Sequence, residues 1–295
     1  MKRSALLFLA LLPLLLLQAQ PLYTRQDSIR LTQMLLSADT ATIVGSDVLW
    51  FARGLLDIPY GAATLETGGE ERLTVTLQAL DCTTLVDIVS ALTLCHRMNK
   101  PSFDDFLHIL QTLRYRDGII SDYASRNHYF SSWIIGAEKA GLAYELGPTA
   151  DAVTPFTATE RLNIHYMTSH PNDYPALRHN PTLRAAIRQT EQQLSTIQTY
   201  YIPRKALNAP RSLLSIIQDG DIIAMVTRKD GLDISHLGFA VWMDDGQLHM
   251  LNASSLRGRV VLEPRTFVDY LRDQRLCTGI RIIRLKETFT PQFGK

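Results

Sequence analysis

The chain has 295 residues, with 30 Lys and Arg against 29 Asp and Glu, so its charge gives no case for nucleic acid or an acidic membrane surface as partner. Three cysteines are an odd number, which leaves at least one thiol free and rules out a complete disulfide framework. Cys82, Cys95 and Cys277 match no zinc spacing, no histidine pair has zinc-protease spacing, and no glycine loop suits a phosphate. The residues therefore call for no cofactor and no metal.

Lys2 and Arg3 precede an apolar run from Ala5 to Leu17, followed by polar Gln18-Ala19-Gln20. A basic start and a short apolar core predict a secretory signal peptide over residues 1–19, since a bilayer span needs about 20 apolar residues. The expected location after its removal is periplasmic or extracellular, with no stable membrane insertion. A thiol left free in such an oxidising compartment is a liability unless it is buried or used chemically.

Helical spacing of apolar residues predicts helices over 27–37 and 46–56, then a long loop around Pro59, Gly61, Gly68 and Gly69. A short strand is expected at 73–77. Helices follow over 82–98, 103–113 and 129–140, an irregular polar stretch over 145–181, and a further helix over 181–194. After Tyr200 the pattern changes to strands at 222–227, 237–243, 247–252, 259–262 and 279–285, separated by Asp-Gly turn signals. Helices first and antiparallel strands afterwards predict an α+β fold. The expected organisation is a helix-rich part over 20–199 and a sheet part over 200–295, acting as one joint catalytic unit.

Two segments carry chemistry. Asp81 is a good helix cap, and the helix beyond it is apolar nearly all round (Leu85, Val86, Ile88, Val89, Ala91, Leu92), as a buried helix is. Cys82 then sits in the first turn, where free N–H groups and the helix dipole favour a thiolate and could hold an oxyanion. The Asp81 charge opposes that thiolate unless capping occupies it. Cys95, inside the same helix, and Cys277 read as inert buried thiols.

The second segment is Ser235-His236-Leu237-Gly238-Phe239-Ala240-Val241-Trp242. Strand alternation puts His236, Gly238, Ala240 and Trp242 on one face, and the two small residues leave that face low enough for a helix start to approach. If the Asp244-Asp245-Gly246 turn is a three-residue loop with Gly246 left-handed, Gly238 pairs with Asn252, one diagonal step from His236. A two-residue loop would instead bring His249 to the front. His108, His165, His170 and His179 lie on helical or irregular polar stretches and read as structural or solvent-facing.

The order of these pieces resembles the NlpC-type branch of the papain-like cysteine hydrolases. The matching blocks are Ile58-Pro59-Tyr60-Gly61, Asp81-Cys82-Thr83-Thr84, Ser235-His236-Leu237-Gly238 and Asn252-Ala253-Ser254-Ser255. More narrowly, Asp-Cys-Thr-Thr-Leu-Val, Tyr115-Arg116-Asp117-Gly118, Ser125 to Phe130, Gly220-Asp221-Ile222-Ile223 and Leu232 to His236 look like the N-acetylmuramoyl-L-alanine amidase-like family. The resemblance implies a helix-rich N-terminal half, an antiparallel sheet or partly closed barrel in the C-terminal half, and a peptidoglycan or muropeptide substrate. It assigns the nucleophile, base and orienting roles to Cys82, His236 and Asn252, with Tyr60 lining the cleft, and the implied reaction cuts the amide between N-acetylmuramic acid and L-alanine. Thr83-Thr84 replaces the Ser-Gly usual in the wider superfamily, and Asn252 stands where the narrower family often has His. Arg126, Asn127 and His128 are candidates for substrate contact or for a polar loop that knits the helical part together. Asp233 and Ser235 are candidates for contact or for shaping the turn before His236. A γ-D-glutamyl-diamino acid endopeptidase and a non-catalytic muropeptide-binding protein remain open alternatives.

Overall fold

A computed structural model describes residues 19–39, 43–98, 100–149 and 154–289; all but the last residue of the expected signal peptide lies outside them. Among the described residues are eight α-helices: α1 (Arg25–Ser37), α2 (Val44–Gly54), α3 (Cys82–His96), α4 (Phe103–Arg114), α5 (Phe130–Lys139), α6 (Tyr166–Ser169), α7 (Pro181–Leu194) and α8 (Phe267–Leu271). No helix among them is long and apolar enough to cross a membrane. The strands are β1 (Ala143–Glu145), β2 (Ala158–Arg161), β3 (Gln198–Pro203), β4 (Ile222–Thr227), β5 (Ile234–Trp242), β6 (Leu248–Ser254), β7 (Arg259–Leu262) and β8 (Cys277–Leu285).

The strands form an antiparallel sheet in the order β2-β3-β8-β4-β5-β6-β7, with β1 also on β8. The path ends at β2 and at β7, so the sheet is open, which corrects the partly closed barrel of the sequence reading. Strands are also not confined to the C-terminal part, because β1 and β2 arise within the helix-rich segment. The 73–77 run makes no strand; Thr74 forms an isolated parallel bridge to Leu22, while Leu73, Val75 and Leu77 are buried in the core.

Three apolar clusters hold the fold. The first packs α3, with Leu85, Val89 and Leu92, onto the β5 face formed by Leu237, Phe239 and Val241. The second lies across the sheet, where Ala240 and Met250 meet Phe267, Tyr270 and Leu271 of α8. The third joins α7 to the 162–177 segment through Leu162, Ile164, Leu177 and Ile187.

α3 is set in place by polar groups as well. Asp87 accepts from Arg114 Nε at 2.7 Å and from Trp133 Nε1 at 2.9 Å, tying α3 to α4 and α5 little more than a turn beyond Cys82. The pair is buried on both sides, and removing one partner of such a pair costs about 3–5 kcal/mol. The chain also reaches α3 by a constrained route. Leu80 N–H donates to Pro59 O at 2.9 Å and Gly61 N–H to Leu80 O at 3.2 Å. A Cβ on Gly61 would lie 2.6 Å from Ala79 Cβ, so only glycine permits this approach.

Candidate active site

The nucleophile candidate occupies the first position of α3. Asp81 is the cap: its carboxylate accepts from Thr84 N–H at 2.8 Å, and Thr84 Oγ1 accepts from Asp81 N–H at 2.9 Å. This reciprocal cap takes the third N–H of the helix and leaves those of Cys82 and Thr83 unclaimed by it, the geometry an oxyanion site requires. Cys82 itself is half-buried. Burial pushes its thiol up to about 11, with the Asp81 charge adding to the rise, against hydrogen bonding from Leu237 N–H and the Thr83 hydroxyl. Capping therefore does not silence Asp81, and near neutral pH the resting thiol is protonated.

Leu237 N–H identifies where the thiol lies. β5 pairs with β4 along residues 234–239, but its pairing with β6 begins only at Phe239↔Leu251. The first half of β5 thus leaves its β6 side open, and the start of α3 presents Cys82 there. The sequence reading brought the helix to the low Gly238/Ala240 face. That expectation is corrected: α3 packs on the Leu237/Phe239/Val241 face, and the thiol meets the strand at its unpaired edge.

The β5–β6 register runs Trp242↔Leu248, Val241↔His249, Ala240↔Met250 and Phe239↔Leu251, and its next step sets Gly238 opposite Asn252. Met243 N–H donates to Gln247 O at 3.0 Å and Gly246 has φ of 77°, so the loop is the three-residue form. His236 and Asn252 accordingly share a face, and His236 Nε2 lies 3.1 Å from Asn252 Oδ1. Asn252 Nδ2 donates to Met250 O at 3.5 Å, which turns its oxygen toward the ring. A carbonyl oxygen only accepts, so Nε2 carries the hydrogen and Nδ1 remains as the base. Burial lowers His236 below its usual 6.5, while the Asn252 bond and the Asp81 charge pull the other way.

Two tyrosines flank this pair. Tyr60 is bridged to Leu80, and its phenol is raised by burial and then by charge at Cys82 and Asp81. Tyr270 of α8, which the sequence reading did not single out, has its ring 6.5 Å from that of His236. Burial, Glu263 and Cys82 push it up to about 12. Its only sequence signal was an apolar segment, 267–271, too short to read as a helix.

The other candidates are held by protein partners. Arg126 donates to Glu71 at 3.0 and 2.8 Å and to Glu66 at 2.8 Å. These three side chains line a cleft of about 700 Å³ with Tyr123 and the Gly68-Gly69 loop, a cleft whose lining includes none of Cys82, His236 and Asn252. Asn127 Nδ2 donates to Leu113 O at 2.9 Å and its Oδ1 accepts from Ser132 at 2.7 Å. His128 Nε2 lies 2.7 Å from Tyr123 O, and burial with the Arg126 charge pushes its imidazole down to about 3. Asp233 accepts from Ser131 N–H at 2.7 Å, capping the start of α5, and from Ile234 N–H at 2.8 Å. Ser235 is exposed beside His236, at the irregularity between Met225 and Val226, and donates to Met225 O at 3.3 Å.

Residues 51–280 match a family model described as AmiA-like, N-acetylmuramoyl-L-alanine amidase-like. The chain belongs to this family. The amidase-like assignment supports a hydrolase of peptidoglycan type at the family level. Among solved structures, one described as an N-acetylmuramoyl-L-alanine amidase from Bacteroides uniformis is 38% identical, with a TM-score of 0.76, covering 83% of this chain and 99% of that one. A Bacteroides fragilis protein described provisionally as a xylanase is also 38% identical, with a TM-score of 0.72 and coverage of 79% and 98%. A Legionella pneumophila protein at 23% identity and a TM-score of 0.65, covering 88% and 94%, shares the fold. No curated protein matches the chain.

Proposed function

We propose that this amidase-like protein cuts the amide between N-acetylmuramic acid and L-alanine in peptidoglycan fragments, through Cys82 as nucleophile, His236 as base and Asn252 as its orienting partner. The observation that carries the reading is the 3.1 Å His236–Asn252 hydrogen bond, formed where the open edge of β5 receives the thiol at the start of α3. Membership of the amidase-like family and the name of the B. uniformis relative support the bond cut. The NlpC-type, papain-like character and export to the periplasm or beyond belong to the same proposal.

The chemistry starts from a neutral pair, because burial disfavours both thiolate and imidazolium. His236 Nδ1 takes the thiol proton as Sγ attacks the lactyl carbonyl carbon. The N–H of Cys82, at the start of α3, faces the developing oxyanion. His236 returns the proton to the leaving nitrogen, the C–N bond breaks, and a peptide beginning at L-alanine departs. A water, deprotonated by the same imidazole, then opens the thioester and regenerates the thiol.

Mass spectrometry of defined muropeptides incubated with wild type and with Cys82→Ala tests this directly. A free peptide beginning at L-alanine, formed by wild type alone, is the expected result. Cleavage within the stem peptide would replace the bond assignment with the γ-D-glutamyl one. Intact substrate throughout would overturn the enzyme reading in favour of a binding protein.

A further inference from the structure

The wall of the site opposite α3 carries two arginines held by one buried acid. Glu263 follows β7 and is 1% exposed. Its Oε1 accepts from Arg265 Nε at 2.9 Å and from Arg257 Nη2 at 3.2 Å. Burial would raise this carboxyl, yet the arginines hold it below its usual value, so it stays a charged anchor. Arg265 also donates through Nη1 to Asp273 at 2.7 Å.

Both guanidinia sit on one oxygen of Glu263, next to the elements that carry Tyr60 and Tyr270. Arg257 precedes Gly258, whose carbonyl accepts from Tyr60 N–H at 2.8 Å, and Tyr60 neighbours Cys82. The Arg265 guanidinium lies 5.5 Å from the centroid of Tyr270, whose ring adjoins His236. The two side chains are 45% and 34% exposed. Among the described residues, Nε and Nη1 of Arg257 and Nη2 of Arg265 have no protein partner. Two half-exposed arginines held on one carboxylate oxygen, each with N–H donors unspent, can together offer one donor to each oxygen of a carboxylate. Glu263 and Asp273 offset the positive charge, which suits a singly charged carboxylate better than a phosphate.

We propose that Arg257 and Arg265 form a carboxylate-reading subsite for the peptide side of the substrate. This rests on the muropeptide reading above: in a stem peptide continued through a γ-linked acidic residue, that residue's α-carboxylate is the first free carboxylate after the scissile amide.

The test uses full-length Cys82→Ala, which cannot turn over, titrated calorimetrically with two probes. These are N-acetylmuramoyl-L-alanyl-D-glutamate and its α-carboxamide counterpart, N-acetylmuramoyl-L-alanyl-D-isoglutamine, which differ only in the carboxylate. The acid should bind about 10- to 100-fold more tightly, the value of hydrogen bonds to a charged group. Adding Arg257→Gln, a change at a half-exposed side chain, should shrink that ratio to about threefold or less. Arg265→Lys should retain part of it, keeping the charge and losing the planar guanidinium donor. Equal binding of the two probes, or a ratio unchanged in both variants, would overturn the subsite while leaving the muropeptide reading intact. Binding of neither probe would overturn both.

Discussion

Among the described residues, two inward-turned asparagine–histidine arrangements differ in what their polar groups have left to offer. Asn127 and His128 are adjacent in sequence and turned inward. Both ends of the Asn127 amide are bonded to the protein, and His128 is bonded to Tyr123 O, beneath the Arg126 charge. Asn252 and His236 come from neighbouring strands. Their mutual bond leaves the imidazole Nδ1 unprotonated beside an open strand edge where a thiol sits. Polar identity and burial are shared by both arrangements. Unused hydrogen-bonding capacity beside a thiol separates the pair proposed to react from the structural one.

The largest effect expected is at the thiol. Cys82→Ala should lower turnover by about a millionfold with the fold retained. Cys95→Ala should keep full turnover, because Cys95 is fully buried and bonded to Ser102 O. Equal losses in the two variants, measured on the same muropeptide, would place the chemistry elsewhere.

Exchanging the two asparagines sharpens the contrast. Asn252→Ala should reduce kcat roughly 100-fold through a misplaced imidazole. It should also move the acid limb of the kcat/KM profile to lower pH. The Asn252 bond raises His236, and without it the ring takes up its inactivating proton only at a lower pH. In wild type that limb should already lie below the usual 6.5. Asn127→Ala should leave the profile where it is and cost about 1–3 kcal/mol of stability in denaturant unfolding, since it orphans buried partners. A pH shift in Asn127→Ala would break the distinction.

A smaller effect is expected at the cap. Asn caps a helix about as well as Asp, so Asp81→Asn removes the charge and keeps the cap. The Cys82 thiol should then fall from about 11, and its alkylation by iodoacetamide at pH 8 should accelerate by up to about tenfold per unit of fall. An unchanged rate would show that Asp81 acts on Cys82 only through the helix start.

A stability effect, apart from catalysis, belongs to His128. Its folded value of about 3 lies below the usual 6.5, so the unfolded chain binds a proton that the folded chain refuses as the pH drops below 6.5. Wild-type stability should therefore fall between these values, by up to about 1.4 kcal/mol per pH unit from this residue. The His128→Gln variant should lack that component of the slope in denaturant titrations.

Much of the site was legible because its signals are local. The Asp81 cap and the all-round apolar run after Cys82 predict a buried helix with a thiol at its start, and α3 begins at Cys82. Gly246 and the spacing of the flanking strands admit the three-residue turn, and that turn alone sets Asn252 on the His236 face. Other features were not legible. The 73–77 run alternates like a strand, yet its backbone finds a single bridge to Leu22. β1 and β2 are short and mixed in pattern, and they become strands only because β8 and β3 offer them an edge. Tyr270 reaches His236 because α8 folds across the far face of the sheet, a contact between residues 34 apart in the chain.

The sequence by itself determined the helix starts, the strand periods, the odd thiol and the turn chemistry, because caps, alternation and left-handed glycines act within a few residues. Only the tertiary structure decided which face of β5 receives α3, that the sheet stays open, and that Asn127 and His128 face the protein. It also placed Arg265 beside Tyr270 and drew Arg257 to the same Glu263 carboxylate. Those outcomes depend on which apolar surfaces pair and which hydrogen bonds remain once the pairing is complete, and both are properties of the assembled core.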